Sequence, residues 1–299
     1  MTSAMKRSEM LPTAIAAGSD LFLFFNDPDE DFEWMMEGYK NGIITDERLN
    51  EALTRILGTK AALGLHKKAK TEILPAKEEA MAKIGLEENK AIAKEVSDKA
   101  ITLVKNTQDV LPITPEKTKR VLLVEAKGFD GGFGKFIEIM GGAKKKPIEI
   151  VKELLEAKGF DVEIWESPID KIMKLPKEEM AQALGNVYAG KRPIAELTSK
   201  YDLIINIANV NASVDQRLQW PPSKGTPDIP FYVNEVPTIF ISVQCPFHLA
   251  DVPQVKTYIN TYDDNQQTLE ALVEKLVGNS EFKGISPVDA FCGFGDTRF

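Results

Sequence analysis

Residues 20–25 read Asp20-Leu-Phe-Leu-Phe-Phe25, a continuous apolar run without the alternation of a half-exposed strand. Such a run is typical of a parallel strand that is buried on both faces. A strand of this kind needs a hydrogen-bonding neighbour on each edge, yet nothing else in residues 1–66 reads as a strand. We therefore expect its neighbours to come either from a later sheet of this chain or from a barrel whose earlier strands this sequence does not contain.

Two helices are predicted after this apolar run. Asn26 or Asp27 can cap the first helix, which has Pro28 at its start, and Gly42 is well placed to end it. Thr45 can cap the second helix, whose leucines form one apolar stripe. The first 66 residues are thus predicted to read helix, strand, helix, helix.

The remainder of the chain divides into a connector and a second domain. Residues 67–116 are rich in Lys and Glu and are predicted to connect the domains, with a helix around 87–104. Residues 117–299 alternate between strand and helix signals, which favours a mostly parallel sheet covered by helices. The predicted strands are Val121–Glu125, Phe160–Trp165, Asp202–Ala208 and Val236–Val243, and the predicted helices include Ile148–Lys158 and Thr268–Val277.

Composition limits the possible functions. The sequence has no apolar stretch of the roughly 20 residues that span a bilayer, and Met1–Pro12 has no apolar run typical of a secretory signal, so a cytoplasmic protein is expected. A formal net charge of −8 disfavours nucleic acid and anionic membranes as partners. Cys245 and Cys292 lack the spacing of a metal or redox motif and read as ordinary thiols. Neither a metal nor an organic cofactor is predicted.

Several motifs, in the same order along the chain, resemble glycoside hydrolase family 3. They are Ala14-Ile-Ala-Ala-Gly-Ser-Asp20-Leu-Phe-Leu, Gly42-Ile-Ile-Thr-Asp-Glu-Arg-Leu49 continuing to Leu57, Lys60-Ala-Ala-Leu-Gly-Leu65, and Ala100-Ile-Thr-Leu-Val-Lys-Asn106 with Leu111-Pro112. The tail Phe282-Lys-Gly-Ile-Ser-Pro-Val288 is similar to that of the family's β-N-acetylhexosaminidase branch. The resemblance covers nearly the whole chain.

This resemblance implies an α/β chain that contains only the C-terminal part of the family's architecture. Residues 1–66 would be the last strand and helix units of a TIM barrel, 67–116 a helical connector, and 117–299 an α/β sandwich domain with a mostly parallel sheet. In the family the nucleophile is an aspartate a few residues before the stretch that matches Met5 to Pro12. In the hexosaminidase branch a histidine on an earlier barrel loop donates the proton, and neither His66 nor His248 matches it. No catalytic residue is therefore assigned in this sequence.

Ligand-binding candidates are sought after the strands, because ligands collect beyond the carboxyl ends of parallel strands. The loop after Asp202–Ala208 contains Asn209, Asp215, Arg217 and Trp220, whose amide, carboxylate, guanidinium and indole groups suit a sugar. A surface loop that docks the two domains is the alternative for this segment. The glycine-rich loop Gly128–Gly134 lacks the spacing of a nucleotide fingerprint, and His248 reads as structural.

Phe25, Asn26 and Asp27 follow the apolar run, at the end where TIM-barrel active sites gather. Helix capping is the competing interpretation of Asn26 and Asp27.

Three functional hypotheses remain open from the sequence. The first is the C-terminal portion of a retaining glycosidase, inactive alone, whose complete form acts on a sugar such as N-acetylglucosamine. The second is a non-catalytic carbohydrate-binding or sensing module. The third is a subunit that completes a barrel with a separate N-terminal chain.

Overall fold

A computed structural model describes residues 5–128, 145–167, 171–172, 174–189, 194–210, 217–220 and 226–299, with the backbone alone for 184–189. The chain divides into two compact units, residues 1–84 and 85–299. The sequence-based boundaries at residues 66 and 116 stay a prediction.

The helices and strands alternate irregularly along the chain. The helices are α1 (Arg7–Ala16), α2 (Pro28–Lys40), α3 (Asp46–Ala62), α4 (Lys77–Ala82), α5 (Glu87–Ala100), α6 (Pro147–Ala157), α7 (Lys177–Ala189), α8 (Ile194–Lys200) and α9 (Gln266–Leu276). The strands are β1 (Thr102–Asn106), β2 (Arg120–Ala126), β3 (Asp161–Ile164), β4 (Leu203–Ala208), β5 (Thr238–Ser242) and β6 (Thr257–Asn260). Short 3-10 turns lie at Leu65–Lys67, Lys70–Glu72, His248–Ala250 and Gly295–Arg298.

The second unit contains a six-stranded sheet in the order β1-β6-β5-β4-β2-β3. Strands β2 to β6 are parallel to one another, whereas β1 pairs antiparallel with β6 at one edge. Strand β4 lies between β2 and β5, and all six of its residues are buried. The predicted mostly parallel sheet with helices is confirmed.

Both faces of this sheet are covered, which explains why its central strands are apolar without alternation. On one face Ile205 and Ile241 pack in a cluster with Val151 of α6 and Leu272 of α9. On the other face Ile204 packs with residues of α8 and of the chain before β5, and Phe240 stacks on Tyr258 with ring centroids 5.6 Å apart. The sheet therefore forms the middle of a three-layer arrangement.

The helix predicted around 87–104 is too long, because α5 ends at Ala100 and residues Thr102–Asn106 form β1. Their pairing with β6 decides this, since Leu103 lies opposite Ile259 in the register. Strand β6 itself was not predicted. The pairing of β1 with β6 thus decides the structure of residues 102–104, although their local composition favours a continued helix.

In the first unit the predicted helix starts are confirmed. Asp27 caps α2 by accepting hydrogen bonds from the backbone N–H groups of Asp29 and Glu30, at 3.1 and 3.0 Å. Thr45 caps α3 by accepting from the Arg48 N–H at 3.2 Å. Gly42, just after α2, adopts a φ of 74°, where a residue with a side chain would be strained.

The apolar run Leu21–Phe25 does not form the predicted strand. None of the described residues pairs with it, and the side chains of Leu23 and Phe24 are 89% and 90% exposed. The physical reason is that a strand without any neighbouring strand leaves its backbone N–H and C=O groups without hydrogen-bonding partners. We call residues 21–25 the apolar ribbon.

Ion pairs and one close helix contact hold the first unit together. Arg7 of α1 binds the Asp31 carboxylate of α2 through two hydrogen bonds, and Arg48 of α3 binds Asp20. Gly38 of α2 lies directly on Pro12 of α1, where a Cβ atom would be 2.2 Å from the Cβ of Pro12. These contacts leave the apolar ribbon uncovered.

Two classes of feature are absent from the ranges described above. No helix there is both long and apolar enough to cross a membrane. No group of three or more His, Cys, Asp or Glu side chains there is arranged to hold a metal ion.

Gly38→Ala should destabilise the first unit, because the added methyl group forces α1 and α2 apart. We expect a cost of roughly 1–3 kcal/mol. Gly58→Ala is the matched control, since Gly58 is also helical but has no atom within 4 Å of its Cβ position, and it should be neutral or stabilising by about 0.5–1 kcal/mol. Limited proteolysis of the full chain measures how fast each variant is cleaved within residues 1–84. Equal cleavage rates for the two variants would contradict the packing argument.

A buried lysine joins α5 to α9 in the second unit. The Nζ atom of Lys275 lies 2.9 Å from the Asp98 carboxylate and also donates to the Ser280 hydroxyl and the Glu281 carbonyl. The Lys275 side chain is fully buried, whereas that of Asp98 is 41% exposed. Hydrogen bonds from Ser280 and Lys275 hold the pKa of Asp98 below its usual range.

Asp98→Ala should destabilise the second unit more than Lys275→Met. The first variant leaves a buried charge without its carboxylate partner, whereas the second removes that charge and keeps the volume. We expect roughly 1–3 kcal/mol for Asp98→Ala, measured by urea unfolding. Because the folded pKa of Asp98 is depressed, its contribution is present above the unfolded value of about 3.9 and is lost as the pH falls through the folded pKa. A larger cost for Lys275→Met would refute this ordering.

Candidate functional site at the carboxyl ends of the strands

The carboxyl ends of β2, β4 and β5 meet at one edge of the sheet, and most of the predicted binding residues follow them. Asn209 comes directly after β4, and Gln244 comes two residues after β5. The Gln244 Nε2 group donates a hydrogen bond to the side-chain oxygen Oδ1 of Asn209 at 2.9 Å. Asn209 is exposed and Gln244 is half-buried, and the two amides form one polar pair at the ends of neighbouring strands.

Residues 217–220 cross this edge, and we call them the strap. At one end the Asp251 carboxylate, beyond β5, accepts hydrogen bonds from the Arg217 side chain and the Leu218 N–H, both at 3.1 Å. At the other end the Gln219 N–H donates to the Lys127 carbonyl, just beyond β2, at 2.7 Å. Because β4 lies between β5 and β2, the strap passes the end of β4.

Leu218 anchors the strap to the core. It forms an antiparallel bridge with Gly128, and its side chain is buried in the cluster that contains Ala208 and Val210. A Cβ atom on Gly128 would lie only 2.5 Å from a methyl group of Val210. Gly128 therefore serves close packing here.

The other predicted binding residues after β4 differ in exposure and in whether the structure describes them. Trp220 ends the strap and is 37% exposed. Arg217 is 63% exposed, and its charge is paired with Asp251. Asp215 and most of the glycine-rich loop lie outside the described residues.

The turn after β5 is held by a buried polar pair. The Ser242 hydroxyl lies 2.7 Å from Nδ1 of His248 and donates to the Cys245 carbonyl. His248 has no exposed surface, so the interpretation of this histidine as structural agrees with its position. Burial raises the pKa of Cys245, which is typical of an unreactive thiol.

Phe25, Asn26 and Asp27 belong to the first unit, where Asn26 and Asp27 make local hydrogen bonds. Asp27 is the α2 cap, and the Asn26 N–H donates to the Asp31 carboxylate at 3.0 Å. Phe25 is 62% exposed as part of the apolar ribbon. Helix capping thus accounts for Asp27, while a ligand role for all three stays a prediction.

An open pocket of about 610 Å³ lies at the opposite edge, beside the amino ends of β2 and β3. Its charged groups are engaged with one another. Arg120 pairs with Asp202 at 2.6 Å, and Lys200 pairs with Glu163 at 2.8 Å. These contacts tie α8 and its flanking residues to the sheet, so we do not assign a ligand there.

Comparison with known proteins places the chain in a family. No protein-family model matches it. A β-N-acetylglucosaminidase/β-glucosidase of Cellulomonas fimi is 38% identical over 302 aligned residues, which cover 100% of this chain and 49% of that protein. The solved structure of the β-glucoside phosphorylase BglX is also 38% identical, with a TM-score of 0.64, over 99% of this chain and 48% of that one. The chain belongs to glycoside hydrolase family 3.

This family 3 chain spans about half the length of these relatives, and its match is to the C-terminal half of the Cellulomonas fimi protein. A glycoside hydrolase family 3 β-N-acetylglucosaminidase from Paenibacillus sp. str. FPU-7 shares the fold at 20% identity. Its TM-score is 0.53, over 97% of this chain and 49% of that one. The resemblance drawn from the motifs is confirmed, and so is the expected α/β architecture.

Sequence reasoning missed two residues that shape this edge of the family 3 chain. Gln244 was not among the predicted binding residues, although an amide two residues after a buried strand is a signal for a strand-end contact. Asp251 has no local signal, because its partners Arg217 and Leu218 lie more than 30 residues earlier. Only the tertiary fold brings these groups together.

Gly128→Ala should destabilise the second unit and loosen the strap. We expect a cost of roughly 1–3 kcal/mol, because the β-branched Val210 has little freedom to move away. Combining it with Val210→Ala should recover part of that loss, so the double variant should be more stable than the sum of the single variants predicts. Urea unfolding measures this coupling. Gly295→Ala, with open space at its Cβ position, is the control, and strict additivity would contradict the contact.

Proposed function

We propose that this chain is the C-terminal portion of a retaining β-glycoside-cleaving enzyme that acts on β-N-acetylglucosaminides. The observation that carries the proposal is the 38% identity, over the whole chain, to the β-N-acetylglucosaminidase/β-glucosidase of Cellulomonas fimi. The chain corresponds to only half of that protein, so the proposal concerns the activity of an enzyme of which this chain is a part. The expected chemistry is double displacement by a carboxylate nucleophile assisted by a proton donor.

We further propose that a barrel-forming polypeptide supplies the nucleophile and the proton donor. The apolar ribbon supports this, because burying Leu23 and Phe24 would each contribute about 1.5–3 kcal/mol. Its backbone also needs hydrogen-bonding partners on both edges. Neighbouring strands of a barrel would satisfy both requirements. The occupant is thus a polypeptide equivalent to the half of the Cellulomonas fimi protein that this chain does not match.

A chimaera tests the proposed activity. The unmatched half of the Cellulomonas fimi protein is joined to Met1 of this chain and assayed on an aryl β-N-acetylglucosaminide. We expect turnover by the chimaera and none by residues 1–299 alone. Robust turnover by the isolated chain that one substitution within it abolishes would defeat the proposal.

Charge in the ribbon provides matched variants for a second experiment, in which the two halves are mixed as separate chains. Phe24→Asp should lower the activity of an unlinked mixture of the two halves at least about tenfold, since the loss of one buried aromatic side chain exceeds 1.4 kcal/mol. Leu74→Asp, at a side chain that is 79% exposed outside the ribbon, should have little effect. Equal effects of the two variants would show that the ribbon is not the docking segment.

A second candidate is cleavage of β-glucosides with phosphate as the acceptor. It is favoured by the 38% identity and TM-score of 0.64 to the β-glucoside phosphorylase BglX. The same chimaera distinguishes the two, when an aryl β-glucoside is compared with the N-acetylglucosaminide in the presence and absence of inorganic phosphate. A non-catalytic carbohydrate-binding module is the remaining alternative, and direct binding by the isolated chain tests it.

A further inference from the structure

The apolar ribbon is a contiguous patch of exposed surface. Leu21, Leu23, Phe24 and Phe25 are 68%, 89%, 90% and 62% exposed. Because a large apolar side chain presents roughly 150–250 Å², these four leave about 500 Å² per chain in contact with water. A patch of this size lies in the upper range for a soluble monomer and marks an interaction surface.

Charge does not protect the ribbon from pairing with another chain. Residues 21–25 contain no charged side chain, and the acids that flank them are engaged, Asp20 with Arg48 and Arg55 of α3 and Asp27 with the start of α2. Exposed strand edges are ordinarily guarded by charged residues, proline or bulges. The net charge of −8 is carried outside the ribbon, and physiological salt screens it over about 8 Å. Two ribbons therefore meet without charge repulsion inside the patch.

The sequence of the ribbon favours a second copy of itself. A short apolar run with aromatic residues, no charge and neither proline nor glycine has a strong tendency to pair with an identical run. Leu21–Phe25 meets each of these conditions, and none of the described residues pairs with its backbone. An identical ribbon offers the missing N–H donors and C=O acceptors at matching spacing.

Two helices run beside the ribbon and limit the size of an assembly. Arg7 at the start of α1 binds Asp31 in the first turn of α2, and Pro12, later in α1, contacts Gly38, later in α2. The helices therefore point in the same general direction, and the ribbon returns the chain from the end of α1 to the start of α2. Each helix is about 10–12 Å wide, whereas paired strands lie only about 4.8 Å apart. Two copies fit with their helix pairs on opposite faces, but a third would bring helix pairs into collision.

We propose that two copies of this chain associate through their ribbons when the barrel-forming polypeptide is not bound. The contact is isologous, since the same patch serves on both copies. It buries about 1,000 Å² in total, which is near the lower limit for a specific protein–protein interface. Each ribbon gains hydrogen-bonding partners along one edge, and the apolar side chains of one copy cover those of the other. The association does not depend on the proposed enzymatic activity.

Sedimentation velocity of the full chain over a range of concentrations tests this dimer. We expect a reversible monomer–dimer equilibrium with a Kd of roughly 1–100 μM, as suits an interface of minimal area. Hydrogen exchange gives the location of the contact. The backbone amides of residues 21–25 that face the partner should exchange at least about tenfold more slowly in a concentrated sample than in a dilute one, because pairing protects them.

Phe24→Asp is the disruptive variant, and Leu74→Asp, at a side chain that is 79% exposed outside the ribbon, is its control with the same net charge. Phe24→Asp should raise the dimer Kd at least about a hundredfold, because twofold symmetry removes one aromatic contact from each copy and each loss exceeds about tenfold. Leu74→Asp should leave the Kd within about twofold. Because Phe24 is almost fully exposed in a single copy, both variants should unfold at the temperature of the dilute unaltered chain.

Three results would overturn the dimer. They are a chain that sediments as a monomer at every concentration, equal effects of the two variants on the Kd, and an assembly that grows beyond two copies. A monomeric chain that forms an active mixture with the unmatched half of the Cellulomonas fimi protein would assign the ribbon to that half alone. Turnover of the chimaera is a separate measurement, so an inactive chimaera beside a ribbon-dependent dimer removes the proposed enzyme and leaves the dimer.

Discussion

A buried parallel strand must be hydrogen bonded along both edges and covered on both faces, and β4 satisfies both conditions. Its backbone pairs with β2 on one side and β5 on the other, from Leu203 to Ala208. Its side chains enter separate clusters above and below the sheet, and none of them is exposed. The residues that follow β2, β4 and β5 are brought to one edge because these strands share a direction. The candidate binding surface is thus a consequence of the pairing of β4.

The apolar ribbon shows what happens when the same requirement is not met. Leu21–Phe25 is as apolar as β4, but none of the described residues pairs with it, and the chain there is neither extended in a sheet nor buried. The first unit keeps its helices through local caps and ion pairs, such as that between Arg7 and Asp31. Its buried apolar side chains are few, and they lie between the helices. Helix formation in this unit therefore does not depend on the ribbon, whereas burial of the ribbon requires another surface.

Features encoded within a few residues could be predicted from the sequence, and features that depend on distant pairing could not. The caps Asp27 and Thr45 act on N–H groups two or three residues away, so their residue types and spacing were sufficient. The central strands were recognised because full burial makes them continuously apolar. Strand β1 was read as the end of a helix, since only its pairing with β6, more than 150 residues later, makes it a strand.

The candidate site follows the same division. Asn209 was found because it directly follows a recognisable strand. Its partner Gln244 and the Asp251 anchor were missed, because their roles arise when the strap folds over the end of β4. The glycine-rich loop was judged from its spacing alone, and the structure adds that its first residue, Gly128, packs against Val210.

The ionisable groups at this edge, within the described residues, are engaged in structural contacts. A general acid or base has to reach the reacting atom, whereas His248 is fully buried with its Nδ1 beside Ser242. The Asp251 carboxylate is occupied by Arg217 and a backbone N–H, and Glu125 is paired with Lys146. These contacts fix the loops after the strands without leaving a paired acid and base at the surface. In the proposed enzyme, the groups that break the glycosidic bond would come from the barrel that we propose as the partner of the apolar ribbon.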